Sequence, residues 1–414
     1  MDTTSVFLMN PIRQDSDMDS KWEGGCWFIP GPTRLTDAVL AGLAHPTMTH
    51  RSPEFKAVMA ELHGRLRHSF ALTPTTIEVG QQAQEGEDGY SVVVVSGSGT
   101  AAMEMVIANR FGPNDNVLVP TNGKFGERVA QLCQHFANVT HLKYAWGQPF
   151  DLGEIDTILS TGKHGALAIC HNETSSGITQ NAPEIAKIAE KHGIPFILDG
   201  ITSVGGLPVH PAEWNAEAVV VGGQKCTAGP SGIAAVVVSE QFVEAMMEKR
   251  KTDPEPAIYY LDLIQALKKA ADDQTPWTPS INLCTGWVAS LREQDEEGME
   301  ERWARCALLA KGVRNLFSDL GFELFAHENQ RSDTVTAILY PDPSWGEEWR
   351  RWMAMEQDTH VIGGQDHVKG RIFRVGSMGV TPIEEMVEGC RRMIEGFRHF
   401  GMELPDLDIE SYFR

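Results

Sequence analysis

The chain has 414 residues, 42% of them hydrophobic and 22% charged, which is ample for a sizeable core and suggests two domains, or one large domain with an appendage. Its net charge of −21 argues against nucleic acid, whose phosphates so acidic a surface would repel. The seven cysteines (Cys26, Cys133, Cys170, Cys226, Cys284, Cys306 and Cys390) are scattered without a C-x-x-C pair, which fits structural thiols in a reducing compartment.

Residues 1–27 read as an arm with little periodicity, and Met1–Ser20 is polar and acidic with no h-region of a secretory signal. No apolar run reaches the ~18 residues of a membrane helix. A cytoplasmic protein away from membranes is therefore expected. From about residue 34 to 300, short apolar runs alternate with helical patterns. The runs are Ser91–Val95, Asn116–Val119, Ala166–Cys170, Phe196–Leu198, Ala218–Val221 and Ile233–Val238. They are near-continuous in Val, Ile and Leu rather than alternating, as strands covered on both faces are. Ala182–His192 between two of them reads as a helix, and the polar stretch Gln81–Gly89 reads as a surface loop. This alternation predicts an α/β fold with a mostly parallel sheet between helices. After about residue 298 the texture changes. Met299–Leu320 reads as a long helix closed by Gly321, and Thr334–Tyr340 and Arg371–Val375 as strands. Thr381-Pro-Ile-Glu384 reads as a capping box opening the last helix. The division is thus an arm at 1–27, a large domain at 28–297 and a smaller α+β domain at 298–414.

Chemistry gathers at the strand ends. Ser96-Gly-Ser-Gly-Thr100 follows a run of valines and opens a helix, so its small residues let backbone N–H groups approach a phosphate. The same string satisfies the dinucleotide pattern G-x-G-x-x-A, but it does not lie in the first βα unit. Phe125, between Gly123 and Gly126, sits where an aromatic face could stack on a flat ring. His171-Asn-Glu-Thr174-Ser-Ser-Gly177 supplies polar groups at the next strand exit and fits the edge of a cofactor better than a metal, because no third ligand lies nearby. Asp199 ends one apolar run, and Lys225 follows the next after two glycines. A lysine that loses water there has a lowered pKa and can form an imine. An acid and a lysine in this arrangement are the two parts that a pyridoxal phosphate (PLP) site needs. The aspartate keeps the pyridine nitrogen protonated, and the lysine moves the Cα proton. Arg374, in the smaller domain, is a candidate clamp for a substrate carboxylate.

Taken together, these stretches resemble the class V aminotransferases of PLP fold type I, and most of all the alanine–glyoxylate and serine–glyoxylate branch. The resemblance is carried by Pro30-Gly-Pro32, His50–Phe55, Ser96–Glu104, Asn122–Gly126, Glu173–Gly177, Asp199–Gly205, Gly223–Cys226, Thr278-Pro279 and Phe373–Gly376. It implies a large PLP-binding domain and a small C-terminal one. It also implies that Lys225 holds PLP covalently, Asp199 binds the pyridine nitrogen and Phe125 stacks on the ring. Ser98, Gly99 and Thr100 would then hold the phosphate, Thr174 and Gln224 would contact the ring edge or phosphate, and Arg374 the substrate carboxylate. The family is dimeric with shared sites, so Thr278 is expected to reach the phosphate of a partner subunit. The implied reaction moves an amino group from a small amino acid, alanine or serine first, to a 2-oxo acid such as glyoxylate or pyruvate, in ping-pong order. An aspartate or aminoalkylphosphonate donor is an alternative within the family.

Some residues depart from the pattern. Thr275 and Trp277 stand where a tyrosine is usual, Phe125 where some relatives carry tryptophan, and Gln81–Gly89 looks like an insertion. A cysteine desulfurase or selenocysteine lyase shares the fold class, but it usually has histidine where this chain has Gln224, and it needs a mobile cysteine. Cys284 and Cys306 are available, neither in an evident glycine-rich loop. A nicotinamide dehydrogenase rests only on Gly97-x-Gly99, and a non-catalytic PLP-fold protein has little reason to keep Asp199, Lys225 and Arg374 together.

Overall fold

The valine- and isoleucine-rich runs assemble into one seven-stranded sheet in the computed structural model, which describes residues 25–73, 88–252 and 258–414. Residues 1–24 of the arm and 81–87 of the polar loop lie outside the described residues. The strands are β1 (Tyr90–Ser96), β2 (Asn116–Thr121), β3 (Asn138–Lys143), β4 (Ala166–Cys170), β5 (Phe196–Asp199), β6 (Ala216–Gly222) and β7 (Ile233–Ser239). Across the sheet they run β1-β7-β6-β5-β4-β2-β3. β7 is antiparallel to both neighbours, and every other pairing is parallel.

The continuous apolar runs have the expected cause. Val92 and Val94 face one apolar core and Val93 and Val95 the other, while Leu167 and Ile169 are divided in the same way from Ala166 and Ala168. Each valine or isoleucine taken fully out of water contributes about 1.5–3 kcal/mol, so both faces favour burial. β3 escaped the sequence reading because it is an edge strand, Asn-Val-Thr-His-Leu-Lys, with no fully buried residue. The helices α1 (Gly99–Arg110), α2 (Lys124–Phe136) and α3 (Ala182–Lys191) follow β1, β2 and β4.

Two long helices, α4 (Ile281–Glu297) and α5 (Met299–Asp319), meet at Gly298, whose φ of 88° turns the chain. Beyond them β8 (Val335–Leu339), β9 (Ile362–Gly363) and β10 (Ile372–Gly376) form an antiparallel sheet in the order β8-β10-β9. β8 and β10 share a third core with α6 (Ile383–His399), in which the Trp349 and Phe397 rings stack at 4.4 Å. The capping box expected at Thr381 does not form. α6 begins at Ile383 with Pro382 as its cap, and the Thr381 hydroxyl donates instead to the Met378 carbonyl at 3.4 Å. All seven cysteines are buried and unpaired. Among the described residues, no helix is long and apolar enough to cross a membrane.

Candidate active site

The C-terminal ends of the parallel strands converge on one cavity of about 320 Å³, the place where open α/β sheets bind ligands. After β1 the chain turns through Ser98, the N-cap of α1, whose hydroxyl makes no capping bond. Ser98, Gly99 and Thr100 line the cavity, so a helix N-terminus with an uncommitted N-cap side chain, among the described residues, opens onto it. Phe125, in the first turn of α2, lines the cavity as well.

β5 ends at Asp199, which is buried and also lines the cavity. One of its oxygens accepts from the Ile201 N–H at 3.0 Å. Burial raises its pKa to about 6, against the pull of that hydrogen bond and of the Arg128 and Lys225 charges. β6 ends at Gly222, and Gln224 and Lys225 follow into the cavity. Desolvation is the largest influence on Lys225 and lowers its pKa to about 8; the charges of Arg374 and Arg128 push the same way and Asp199 opposes them. Its Nζ donates to the Pro30 carbonyl at 3.1 Å. Next to it, Gly31 has a φ of 86°, and a Cβ there would lie 2.3 Å from Lys225 Cδ, so only glycine leaves the amine its place.

Three expected residues do not line the cavity. Arg374, in the middle of β10, is 3% exposed. Its Nε and one Nη share the Gly363 carbonyl at 3.1 and 2.6 Å, and its other Nη donates to the Thr174 carbonyl at 2.8 Å. Three of five N–H groups are thus used, leaving one on each Nη, a fork that matches a carboxylate. Thr174 itself is buried and meets Arg374 through its backbone. Thr278 is exposed and lines a separate, smaller recess beside Ser96 and Tyr260. The expectation that the whole His171–Gly177 stretch faces a cofactor edge is corrected. His171 turns into a different cleft of about 880 Å³, against Trp214, and Glu173 binds the start of α2.

Sequence reasoning missed two arginines. Arg128 lines the cavity, and its guanidinium carbon lies 5.0 Å from the Phe125 ring centroid. Its three-residue spacing from Phe125 on a helix was a usable signal. Arg302 of α5 is buried and donates to the Cys226 carbonyl at 2.9 Å, bracing the residue after Lys225. No local signal points to that contact, since 76 positions separate the two.

The residues present suit PLP. Helix α1 offers a phosphate its N-terminus and the Ser98 hydroxyl. Asp199 offers a buried carboxylate to a ring nitrogen, Lys225 an amine of depressed pKa, and Gln224 a buried amide oxygen without a partner among the described residues. Cys284 and Cys306, the two cysteines a sulfur-transfer reaction could use, are fully buried and do not line the cavity.

Comparison with known proteins agrees with this chemistry. Residues 32–340 match the family model described as aminotransferase class-V. An uncharacterized aminotransferase of Methanocaldococcus jannaschii is 32% identical over 92% of this chain and 95% of its own. The L-aspartate–glyoxylate aminotransferase of Paracoccus denitrificans is 30% identical over 85% and 86%. Among solved structures, alanine–glyoxylate aminotransferase from a Nostoc species superposes with a TM-score of 0.81 at 27% identity, covering 96% of this chain and all (100%) of the other.

Proposed function

Because the chain belongs to the class V, PLP-dependent aminotransferases, we propose that it transfers the amino group of a small amino acid, alanine or serine first, to glyoxylate or pyruvate. The observation that carries this reading is the meeting of Lys225, Asp199 and the N-terminus of α1 in one cavity. Relatives named for glyoxylate as acceptor support the acceptor class.

When bound, PLP supplies an electron sink for the pair left as the donor's Cα proton departs. The chain's own residues do the rest. Lys225 anchors the cofactor through Nζ. Once displaced by substrate, Nζ carries the proton from the donor's Cα, a task suited to an amine with a pKa of about 8. Asp199 holds a proton on the ring nitrogen, and Phe125 covers one ring face. Ser98, Gly99 and Thr100 bind the phosphate and Gln224 borders the ring, while Thr174 acts through its backbone carbonyl on Arg374. The two free N–H groups of Arg374 orient the substrate carboxylate. The order is ping-pong, with the first keto acid leaving before the second binds. The working form is a cytoplasmic homodimer in which Thr278 serves the phosphate site of the second copy.

A second reading, an aspartate donor, draws on Arg128. This guanidinium lines the cavity and has no ion-pair partner among the described residues, so it could receive a side-chain carboxylate. A spectral screen tests both. Amino acids are added singly to the holoenzyme, and loss of the cofactor's visible band is followed. No response to any amino acid would sink the proposal. A response to aspartate that Arg128→Gln abolishes would select the second reading.

A further inference from the structure

Helix α2 begins on Gly123, which has no side chain to cap it, so its first N–H groups need an acceptor from elsewhere. They find it 48 positions later in the chain. The Phe125 and Gly126 N–H groups donate to one oxygen of Glu173 at 2.8 and 2.7 Å. The Lys124 N–H donates to the Ser175 hydroxyl at 2.9 Å. The other Glu173 oxygen accepts from the Ser175 N–H and hydroxyl at 3.1 and 2.6 Å. A carboxylate with no exposed surface is thus held by four donors at the positive end of a helix. Gly123 makes room for it, since a Cβ there would lie 2.2 Å from Glu173 Cγ.

The next residue in the chain faces the other end of the site. The Thr174 carbonyl accepts from Arg374 at 2.8 Å. The turn that carries both is closed by the Glu173 carboxylate, which accepts from the Ser175 N–H at 3.1 Å, and by the Glu173 carbonyl, which accepts from the Ser176 and Gly177 N–H groups at 3.2 and 2.9 Å. Glu173 does not line the cavity, so it acts on neighbours rather than on reacting atoms.

We infer that Glu173 is a positioning residue for both ends of the site: its carboxylate fixes the ring face of Phe125, and the turn it closes fixes the guanidinium of Arg374. The inference rests on the roles proposed above for Phe125 and Arg374. It separates Glu173 from a simple helix cap, because a cap would govern stability without linking two readouts.

Two readouts on the holoenzyme test it. Visible circular dichroism of bound PLP reports the asymmetry that Phe125 imposes on the ring. The ratio of rates at which aminooxyacetate and methoxyamine bleach the visible band reports carboxylate capture, because only the first carries a carboxylate. Phe125→Ala moves the dichroism, and Arg374→Lys moves the ratio. Glu173→Gln is expected to move both, shifting the ratio part of the way toward the Arg374→Lys value. Gly123→Ala pushes the carboxyl aside with its charge intact and is expected to give the same paired signature if Glu173→Gln does not fold. A folded Glu173→Gln or Gly123→Ala enzyme with either readout at the wild-type value overturns the inference. If Phe125→Ala and Arg374→Lys themselves leave both readouts unmoved, the underlying reading of the site fails, and this inference fails with it.

Discussion

Consider cofactor-free protein in which Lys225 is replaced by methionine. Burial holds the lysine's pKa at about 8, where a free lysine has 10.5. Keeping its ammonium in the fold at neutral pH therefore costs about 3 kcal/mol, at ~1.4 kcal/mol for each tenfold change in proton affinity. Methionine occupies a similar volume and carries no charge. It gives up the 3.1 Å hydrogen bond to the Pro30 carbonyl, a loss of about 1 kcal/mol. The net gain is ~2 kcal/mol, or a rise of about 2 °C in melting temperature for a chain of this size. Between the folded and unfolded pKa values the unfolded chain holds the proton and the fold releases it, so wild-type stability climbs with pH across that window. The variant lacks the group and shows no such climb. Its advantage should be largest at neutral pH and fade as pH rises from about 8 to 10.5. Scanning fluorimetry of both proteins across that range measures the gap. A variant that melts no higher than wild type at neutral pH, or a gap that ignores pH, would refute the desolvation of Lys225.

Arg374→Gln should lower kcat/KM for the amino donor about a hundredfold, because the bidentate charge-assisted pair is lost; steady-state kinetics with most of the loss in KM is the expected result. Asp199 has its pKa raised to about 6 by burial, so its carboxylate becomes neutral as pH falls through that value. PLP affinity, titrated by absorbance, should weaken below about pH 6, and Asp199→Asn should weaken it at neutral pH and flatten the profile. Arg302→Ala removes a buried guanidinium that braces Cys226 and pairs with Glu297 at 3.0 Å. Glu297 keeps Arg305 as a partner at 2.6 Å, so the cost should be about 1–3 kcal/mol, from the buried Cys226 carbonyl left without its donor, read as an earlier denaturation midpoint.

The parts of the molecule legible from sequence are those whose causes are local. A strand buried on both faces must be apolar at every position, so Ala166–Cys170 could be read to the residue. The glycines before Lys225 and the acid closing Phe196–Asp199 likewise announce themselves at strand ends. The edge strand Asn138–Lys143 could not be read this way, because its surroundings on one side are water. The threonine expected to cap the last helix lost to Pro382, which holds the extended conformation a cap needs (φ −73°, ψ 156°). Arg302 and Glu173 act through partners 76 and 48 positions distant, and only folding brings those together. For Glu173 a trace existed: a helix that starts on a bare glycine must borrow its acceptor.

The burial of every cysteine has a practical consequence. Thiol-specific reagents should leave the native protein unlabelled, so each modified sulfur marks a molecule that has opened. The thiols are also well spread. Cys284 belongs to the core on one face of the large sheet, Cys133 and Cys170 to the core on the other, and Cys26 and Cys390 to the core around Trp349. Timed alkylation read peptide by peptide would therefore show which layer parts first. Cys170 adds a second gauge, because it lines the cavity beside Asp199, so filling that cavity should slow the opening that exposes it.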